Sequence, residues 1–426
     1  MPTLAYLANK FPSAVEPYVS DELQELRRRG VAAISGSVRR PDEVRHLSPY
    51  PSAGSGVLCL QPIRVLTLLR ALCLAASRWR QISSILSRVL LQGEEGLSPR
   101  LKALLHTWLG AYYAILLRER GVDHIHVHHG YFGSWIGMVA ARLLGASFSM
   151  TLHGSDLLVH GVYLDTKLKN CQSCVTVSDY NRRYILNHFP AMDVSAIIVS
   201  RLGVDAAAAR KFRRRFASHP SRDFALLAVG RLHAVKDHAF LIRACAQLRD
   251  AGLDFRCTIA GEGPERQGLE SLIRNNRLED CVILLGHVPQ QELDALYQRA
   301  HLIVLTSLSE GIPLVLMEAM VRGKIVLAPA ITGIPELVIP GKTGFLYEPE
   351  HLEDFTQRIR FLHSLIFSES QLSGSRLDWV RHAARVQILH NFNRQKNLNR
   401  FCDAFLRLIQ PHAWSSTHEN PVLQQI

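Results

Sequence analysis

Short apolar runs and amphipathic stretches alternate from the first residues of the chain onward. Thr3–Ala8 is a continuous apolar run, the signature of a strand buried on both faces. The polar loop Asn9–Pro17 follows, Tyr18–Gly30 has helical spacing and stops at a glycine, and Val31–Val38 is apolar again. Strand, loop, helix and strand in that order make a βαβ unit and hence a parallel sheet. The alternation continues with helices over Val57–Leu91, Leu101–Arg120 and Ser134–Leu144, and with strands at Val122–His128, Ser147–Leu152, Cys174–Val177 and Ile197–Val199. Ala206–Asp223 interrupts it, being basic and then turn-rich, and a domain boundary is expected inside that stretch. A second series starts with strand Ala225–Val229 and helix His238–Asp250, then strand Phe255–Ile259, helix Glu265–Asn275, strand Val282–Leu285 and helix Gln290–Ala300. Strand His301–Leu305, helix Leu314–Val321 and strands Ile325–Ala328 and Gly344–Tyr347 come next. Helices Leu352–Leu365 and Trp379–Ile409 close the series, and the end from Pro411 reads as frayed. The pattern predicts an α/β protein of two doubly wound domains, over residues 1–210 and 211–390, with a last helix and tail over 391–426.

Length and composition agree with two cores. A chain of 426 residues with 47% hydrophobic and 20% charged residues exceeds one ordinary domain. Lysines and arginines number 49 against 37 acidic residues, a net charge of +12, with clusters at Arg27–Arg29 and Arg213–Arg215. That balance points to anionic partners: phosphorylated substrates, acidic lipid or nucleic acid. A merely solvated basic face is the competing reading. Met1–Ala8 lacks the basic start and cleavage pattern of a secretory leader. No run reaches the ~18 apolar residues of a membrane span. Val57–Leu91 comes nearest, but Arg64, Arg70, Arg78, Arg80 and Arg88 interrupt it, so it reads as core helix or as a helix lying on a membrane surface. Eight scattered cysteines fit a reducing cytoplasm.

The stretch richest in chemistry is Thr306–Pro349. A strand, a polar loop with Ser307, Ser309, Glu310 and Gly311, and a helix with Pro313 at its first position form an anion site, because free backbone N–H groups and the helix dipole point outward. Glu310 and Glu318 bracket it, with roughly 7 Å of helix between Pro313 and Glu318. A carboxylate at each end suits hydroxyls flanking a diphosphate. Arg231 and Lys236, just after the first strand of the second series, are cations placed to hold its phosphates. Glu16, in the loop after the first strand, reads either as a ligand for a sugar hydroxyl or as a charge serving a helix dipole.

Four other patterns lead elsewhere. Gly261-Glu262-Gly263-Pro264-Glu265-Arg266 lacks the third glycine of a dinucleotide fingerprint. Gly341-Lys342-Thr343 lacks the first glycine of a phosphate loop, Glu336 standing in its place, and runs into a strand where a helix is required. Cys171 and Cys174 have no second pair to complete a zinc site. His124, His126 and His128 share one strand face, but no cysteine and only Asp123, on the opposite register of the strand, lies nearby in sequence, which favours packed or site-lining histidines. There is no Asp-x-Asp to carry a cation on a diphosphate, so neither a metal nor a cofactor is expected.

Together these residues carry a resemblance. Glu310 and Glu318 within EGIPLVLMEAM are similar to the E-x7-E motif of the retaining glycosyltransferases of family 4. VGRLHAVKD, AGEGPE, GHV, TGIPELV, GKTGFL, TLHGSD and RLGVD resemble further segments of that family. NKFPSAVEPYVSDEL and HVHHGYFG resemble its branch that builds bacterial exopolysaccharides. The resemblance implies a GT-B fold, two Rossmann-like domains facing a cleft, with the last helix crossing back to the first domain. It implies an acceptor-binding N-terminal domain and a nucleotide-sugar-binding C-terminal one. Carried over by position, Glu310 faces the reacting sugar and His153 the sugar and its leaving diphosphate. Arg231 and Lys236 hold the diphosphate, backbone donors come from Gly311, Ile312, Pro313, Leu314 and Val315 (Pro313 itself lacking an N–H), and Glu318 takes the ribose. Family members commonly have a glycine pair in the first loop, where this chain has Phe11-Pro12-Ser13. That loop, with Glu16, and the loop bearing His129 are therefore assigned to the acceptor.

The expected activity is metal-independent, retaining transfer of a hexosyl unit from a UDP- or GDP-linked sugar to a sugar acceptor, lipid-linked, in bacterial surface or exopolysaccharide synthesis. The expected place is the cytoplasm, at the inner membrane face, with contact to anionic lipid and none to nucleic acid. Another GT-B enzyme, a phosphorylase or nucleotide-sugar epimerase, or a catalytically silent sugar-nucleotide or glycan-binding protein, remains an alternative.

Overall fold

A computed structural model describes residues 2–13, 16–40, 56–93, 95–207, 224–369 and 375–409. Residues 208–223, where most of the expected boundary stretch falls, and the tail from Pro411 lie outside them. In chain order the first elements are β1 (Leu4–Ala8), α1 (Pro17–Arg28), β2 (Ala33–Ser37), β3 (Leu58–Cys59), α2 (Val65–Ser77), α3 (Trp79–Leu90) and α4 (Leu97–Leu117). Then come β4 (His124–His128), α5 (Phe132–Leu144), β5 (Ser147–Leu152), α6 (Ser155–Leu158), α7 (Leu164–Lys169), β6 (Ser173–Thr176), α8 (Asp179–His188) and β7 (Ile197–Val199). The second series is β8 (Phe224–Val229), α9 (His238–Asp250), β9 (Phe255–Ala260), α10 (Arg266–Asn275), β10 (Val282–Gly286), α11 (Gln290–Arg299), β11 (Leu302–Val304) and α12 (Leu314–Val321). It ends with β12 (Ile325–Pro329), α13 (Ile334–Leu337), β13 (Phe345–Tyr347), α14 (Leu352–Glu369), α15 (Arg376–Asn391) and α16 (Arg394–Ile409). The chain divides into two compact units: residues 1–177, 181–200 and 398–426 form one, and residues 178–180 and 201–397 the other.

The first unit is built on a parallel sheet in the order β3-β2-β1-β4-β5-β6-β7. Successive side chains of a strand point to opposite faces, and β1 follows that rule. Ala5 and Leu7 pack into a core with Trp135, Met138 and Tyr113 of α4 and α5. Leu4, Tyr6 and Ala8 pack on the other face with Leu23 of α1 and Phe401 and Phe405 of α16. Both faces are covered, which explains why β1 is apolar throughout. Each Leu or Phe fully buried in this way contributes about 1.5–3 kcal/mol.

The second unit has a parallel sheet in the order β10-β9-β8-β11-β12-β13. Leu226 and Ala228 pack towards Leu241 and Cys245 of α9 and Phe355 of α14. Leu227, Ile303 and Val326 pack towards Leu316 and Met320 of α12 and Ile388 of α15.

Three features depart from the sequence pattern. Val57–Leu91 is not helical throughout: Leu58 and Cys59 pair with Gly36 and Ser37, and the helix breaks at Arg78. A two-residue strand carries no periodicity to detect. Trp379–Ile409 is two helices, because Val204 donates to Phe392 O at 3.0 Å and accepts from Arg394 N at 3.1 Å, pulling the chain out of helix there. Asn393 Oδ1 then accepts Lys396 N at 3.1 Å and opens α16. Pro313 is not the first helical residue but the N-cap of α12, with φ −74° and ψ 122°, where its missing N–H costs nothing.

Candidate active site

Both sheets reverse strand order once, and such switch points open a crevice at the carboxyl ends of the strands. In the second unit the switch lies between β8 and β11, which pair through Leu226 and Leu302. Arg231 and Lys236 lie in the loop after β8, and Glu310 in the loop after β11, so the register brings the two loops, and with them Lys236 and Glu310, together. Lys236 Nζ pairs with Glu310 Oε1, and Ser307 Oγ donates to the same oxygen at 2.6 Å. Thr306 Oγ1 donates to Lys236 O at 3.0 Å and Leu308 N to Val235 O at 2.8 Å, stapling the two loops to each other. Asp237 adopts a left-handed φ of 42° and its carboxylate accepts Phe240 N at 3.0 Å, which turns the chain sharply into α9. Glu310 and Lys236 are thus a held ion pair rather than separate ligands. Arg231 is exposed and, among the described residues, makes no ion pair.

Glu310 leads into Gly311, Ile312, Pro313 and the first turn of α12, Leu314 and Val315. Thr332 Oγ1 donates to Glu310 O. Gly333 lies so close beneath that a Cβ there would fall 2.2 Å from Gly311 O. Glu318 is one turn into α12, where Tyr297 Oη donates to its Oε2 at 3.0 Å. Arg322 lies 5.0 Å over the Tyr297 ring and pairs with Asp294, so α11 and α12 are fastened around that tyrosine. Tyr297 and Thr332 carry no site role in the sequence reading. Ser307 stands inside the polar loop and was visible there; Tyr297 comes from α11 and had no local signal.

The glycines of Gly261-Glu262-Gly263 serve packing. Leu232 N donates to Glu262 O at 2.9 Å and Glu265 N to Leu232 O at 3.0 Å, bracing the segment that presents Arg231. A Cβ on Gly261 would fall 1.8 Å from Gly230 O, and one on Gly263 would fall 2.2 Å from Leu232 O. Gly261→Ala is therefore expected to cost the second unit about 1–3 kcal/mol or more, measured by thermal melting; an unchanged melt would contradict this bracing. Gly341-Lys342-Thr343 is a turn in which Thr343 Oγ1 accepts Ile339 N at 2.8 Å.

In the first unit the switch lies between β1 and β4. Glu16 follows β1 and His129 follows β4, and His129 Nε2 meets Glu16 Oε1 at 2.8 Å. His129 Nδ1 lies 3.6 Å from Asp156 Oδ2. Burial alone would lower the His129 pKa, but the two carboxylates outweigh it and raise it to about 10. His129 is then an imidazolium at neutral pH. Asp156 is buried and accepts Gly130 N at 2.8 Å, His153 N at 3.0 Å and Gly154 N at 2.8 Å. Burial works against its charge, yet the His129 cation holds its carboxyl below the ordinary range. His153 is shifted the other way, well below the usual histidine value, first by burial and then by the neighbouring His129 charge. It is uncharged at neutral pH. Its Nε2 lies 3.1 Å from His128 Nδ1, and His128 Nε2 lies 3.0 Å from Glu22 Oε2, which also accepts from Tyr6 Oη.

His124, His126 and His128 do share one buried face of β4. His124 sits between Ser147 and Ser149 hydroxyls at 2.6 Å each, and His126 between Ser149 and Thr151 at 2.7 and 2.9 Å. These rings are satisfied by the hydroxyls of β5. Cys171 and Cys174 are free thiols, and burial pushes the Cys171 thiol up to about 12. The structure thus gathers Arg231, Lys236, Glu310 and the start of α12 in one unit, and Glu16, His129 and His153 in the other.

Residues 209–369 match the family described as glycosyl transferases group 1. This segment is a group 1 glycosyltransferase domain. The chain is 36% identical over 205 residues to the putative colanic acid biosynthesis glycosyltransferase WcaL of Escherichia coli, covering 47% of this chain and 48% of that one. It is 30% identical over 259 residues to the amylovoran biosynthesis glycosyltransferase AmsK of Erwinia amylovora, covering 56% and 60%. The matches thus span about half of these relatives' lengths. Among solved structures, sucrose-phosphate synthase from Thermosynechococcus elongatus aligns with a TM-score of 0.69 at 17% identity, over 95% of this chain and 99% of that one. HepE of Anabaena in complex with UDP aligns with a TM-score of 0.64 at 17% identity, over 95% and 100%. The fold is GT-B, with two parallel-sheet α/β domains.

Proposed function

We propose that this group 1 domain and the unit before it form a retaining, metal-independent glycosyltransferase. It moves a hexosyl unit from a UDP- or GDP-linked sugar to a glycan acceptor. The observation that carries the proposal is the Glu310 carboxylate, fixed by Lys236 and Ser307 at the switch point and at the entrance of α12. An anion there meets backbone N–H groups, a helix dipole and two cations, and a sugar on that anion meets a carboxylate. In the proposed roles Arg231 and Lys236 bind the diphosphate with the amides of Gly311, Ile312, Leu314 and Val315, Pro313 fixing the turn. Glu318 binds the ribose, and Glu310 contacts sugar hydroxyls beside the reacting carbon. His153, uncharged at neutral pH, is a hydrogen-bonding group for sugar or leaving phosphate.

The anomeric C–O bond to phosphate breaks as the acceptor oxygen attacks from the same face, and the departing phosphate oxygen takes the acceptor's proton. No enzymic nucleophile is needed. The acceptor is assigned to the Glu16–His129 loops. A lipid-linked glycan and a cytoplasmic location at the inner membrane face belong to the same proposal, as does a place in exopolysaccharide synthesis, and only the last is supported by what WcaL and AmsK are named for.

Calorimetry tests the donor site. UDP or GDP is expected to bind the wild type, and Arg231→Ala to bind about 10- to 100-fold more weakly, the loss of a charge-assisted contact. Absence of nucleotide binding by the wild type, or equal binding by the variant, would remove Arg231 from the site.

A further inference from the structure

Helices α2, α3 and α4 of the first unit expose apolar side chains along defined lines. On α4, Leu97, Leu101, Leu105 and Trp108 are 82, 66, 56 and 48% exposed. Their spacing of four, four and three residues places them on one stripe of about three turns. Continuations of the stripe are fixed at both of its ends. Arg64 N donates to Tyr112 Oη at 3.2 Å, bringing the start of α2, with exposed Val65, Leu66 and Leu69, to the carboxyl end of α4. Arg100 Nη1 donates to Leu90 O at 3.3 Å, bringing exposed Leu90 and Leu91 to its amino end. A stripe of this kind is not needed for the core, since the same helices bury a separate set that includes Ile82, Ile85 and Val89. Scattered exposed leucines are ordinary; an aligned row with apolar clusters at both ends marks a surface that meets an apolar partner.

The charges name the partner. Helices α2, α3 and α4 contain no Asp or Glu at all. Arg64, Arg70, Arg80 and Lys102 are exposed beside the apolar side chains and, among the described residues, have no carboxylate partner. Arg88, by contrast, is neutralised by Glu95 and Asp165. A face that joins exposed Trp and Leu to unpaired cations, with no acid on its helices, fits the interface of a bilayer containing anionic lipid. A protein partner would need acidic groups set among its own apolar ones, and a second copy of this chain would bring like charges together. No helix among the described residues is long and apolar enough to cross a membrane. The geometry therefore points to docking on the surface: we infer that the α2–α4 face binds anionic membrane peripherally, with the Leu97–Trp108 stripe buried in the headgroup region. This inference needs only that helical face, so vesicle binding and sugar transfer can fail separately.

Full-length protein sedimented with vesicles of neutral lipid, and of neutral lipid mixed with phosphatidylglycerol, reads the proposal. Wild type is expected to pellet with the anionic vesicles, less as salt rises, and weakly with neutral ones. Leu101→Glu with Leu105→Glu is expected to lower binding at least about 10-fold. The charge variant Arg64→Glu, Arg70→Glu, Lys102→Glu is expected to lower it by on the order of 100-fold while leaving melting unchanged, and stands as the test should the leucine variant melt early. Lipids brominated near the headgroup are expected to quench Trp108, and Trp108→Phe to lose that part of the quenching. Equal pelleting by wild type and charge variant, or none by wild type, overturns the inference. So does a dimer that the leucine variant dissolves in the absence of vesicle binding, which would assign the face to a second copy.

Discussion

Glu310→Gln is expected to lower kcat by about 100- to 1,000-fold while nucleoside-diphosphate affinity stays the same or tightens slightly. The substitution keeps the size and hydrogen-bonding reach of the side chain and removes its charge. In the proposed reaction positive charge grows on the sugar as the bond to phosphate lengthens, and a carboxylate beside that carbon is worth more in the transition state than in the ground state. Losing one such preorganised group costs roughly 2.7–4 kcal/mol. The direction of the affinity change follows from the ion pair. Lys236 is occupied by Glu310 in the free protein, and an incoming phosphate must compete for it. With glutamine in place Lys236 turns to the phosphate, so binding does not weaken. Steady-state transfer and calorimetry on the same preparation separate these effects. Unchanged turnover removes Glu310 from the reaction, and a parallel loss of nucleotide binding makes it a donor-holding residue instead.

The fold was legible because its central strands, such as β1, β4, β11 and β12, are buried on both faces. β5, β7 and α9 begin and end where the hydrophobic pattern places them. Elements without a pattern of their own were not legible. The two residues of β3 and the four of α6 and α13 are shorter than any period, and the break between α15 and α16 depends on Val204, nearly two hundred residues away. For the site, chain order shows that Arg231, Lys236 and Glu310 follow strands. That β8 and β11 are neighbours, and therefore that Lys236 and Glu310 meet, is a property of the sheet. The same holds for Glu16 and His129, more than a hundred residues apart in sequence and joined because β1 and β4 pair. Asp156 was visible only as the last letter of TLHGSD, whereas the structure makes it the centre of four contacts.

That centre sets the second large effect. His129→Gln is expected to destabilise the first unit by roughly 3 kcal/mol near neutral pH, because it removes the cation from between two carboxylates and leaves Asp156, 1% exposed, without its ionic partner. For a unit of this size that corresponds to about 6–12 °C of melting temperature. The pH dependence distinguishes charge from packing. The folded pKa of His129, about 10, is raised above the ordinary value of 6.5, so its contribution is complete below 6.5 and is lost as pH rises through about 10. Asp156 is depressed, so its contribution is present above the unfolded carboxylate pKa and is lost only as pH falls below the ordinary carboxylate range. The gap between wild type and variant is therefore expected to be widest from mildly acidic to neutral pH and to shrink steadily towards pH ~10. Melting both proteins across that range measures it. A gap that stays constant to the alkaline end would mean that His129 stabilises by shape alone, and that neither Glu16 nor Asp156 draws its charge.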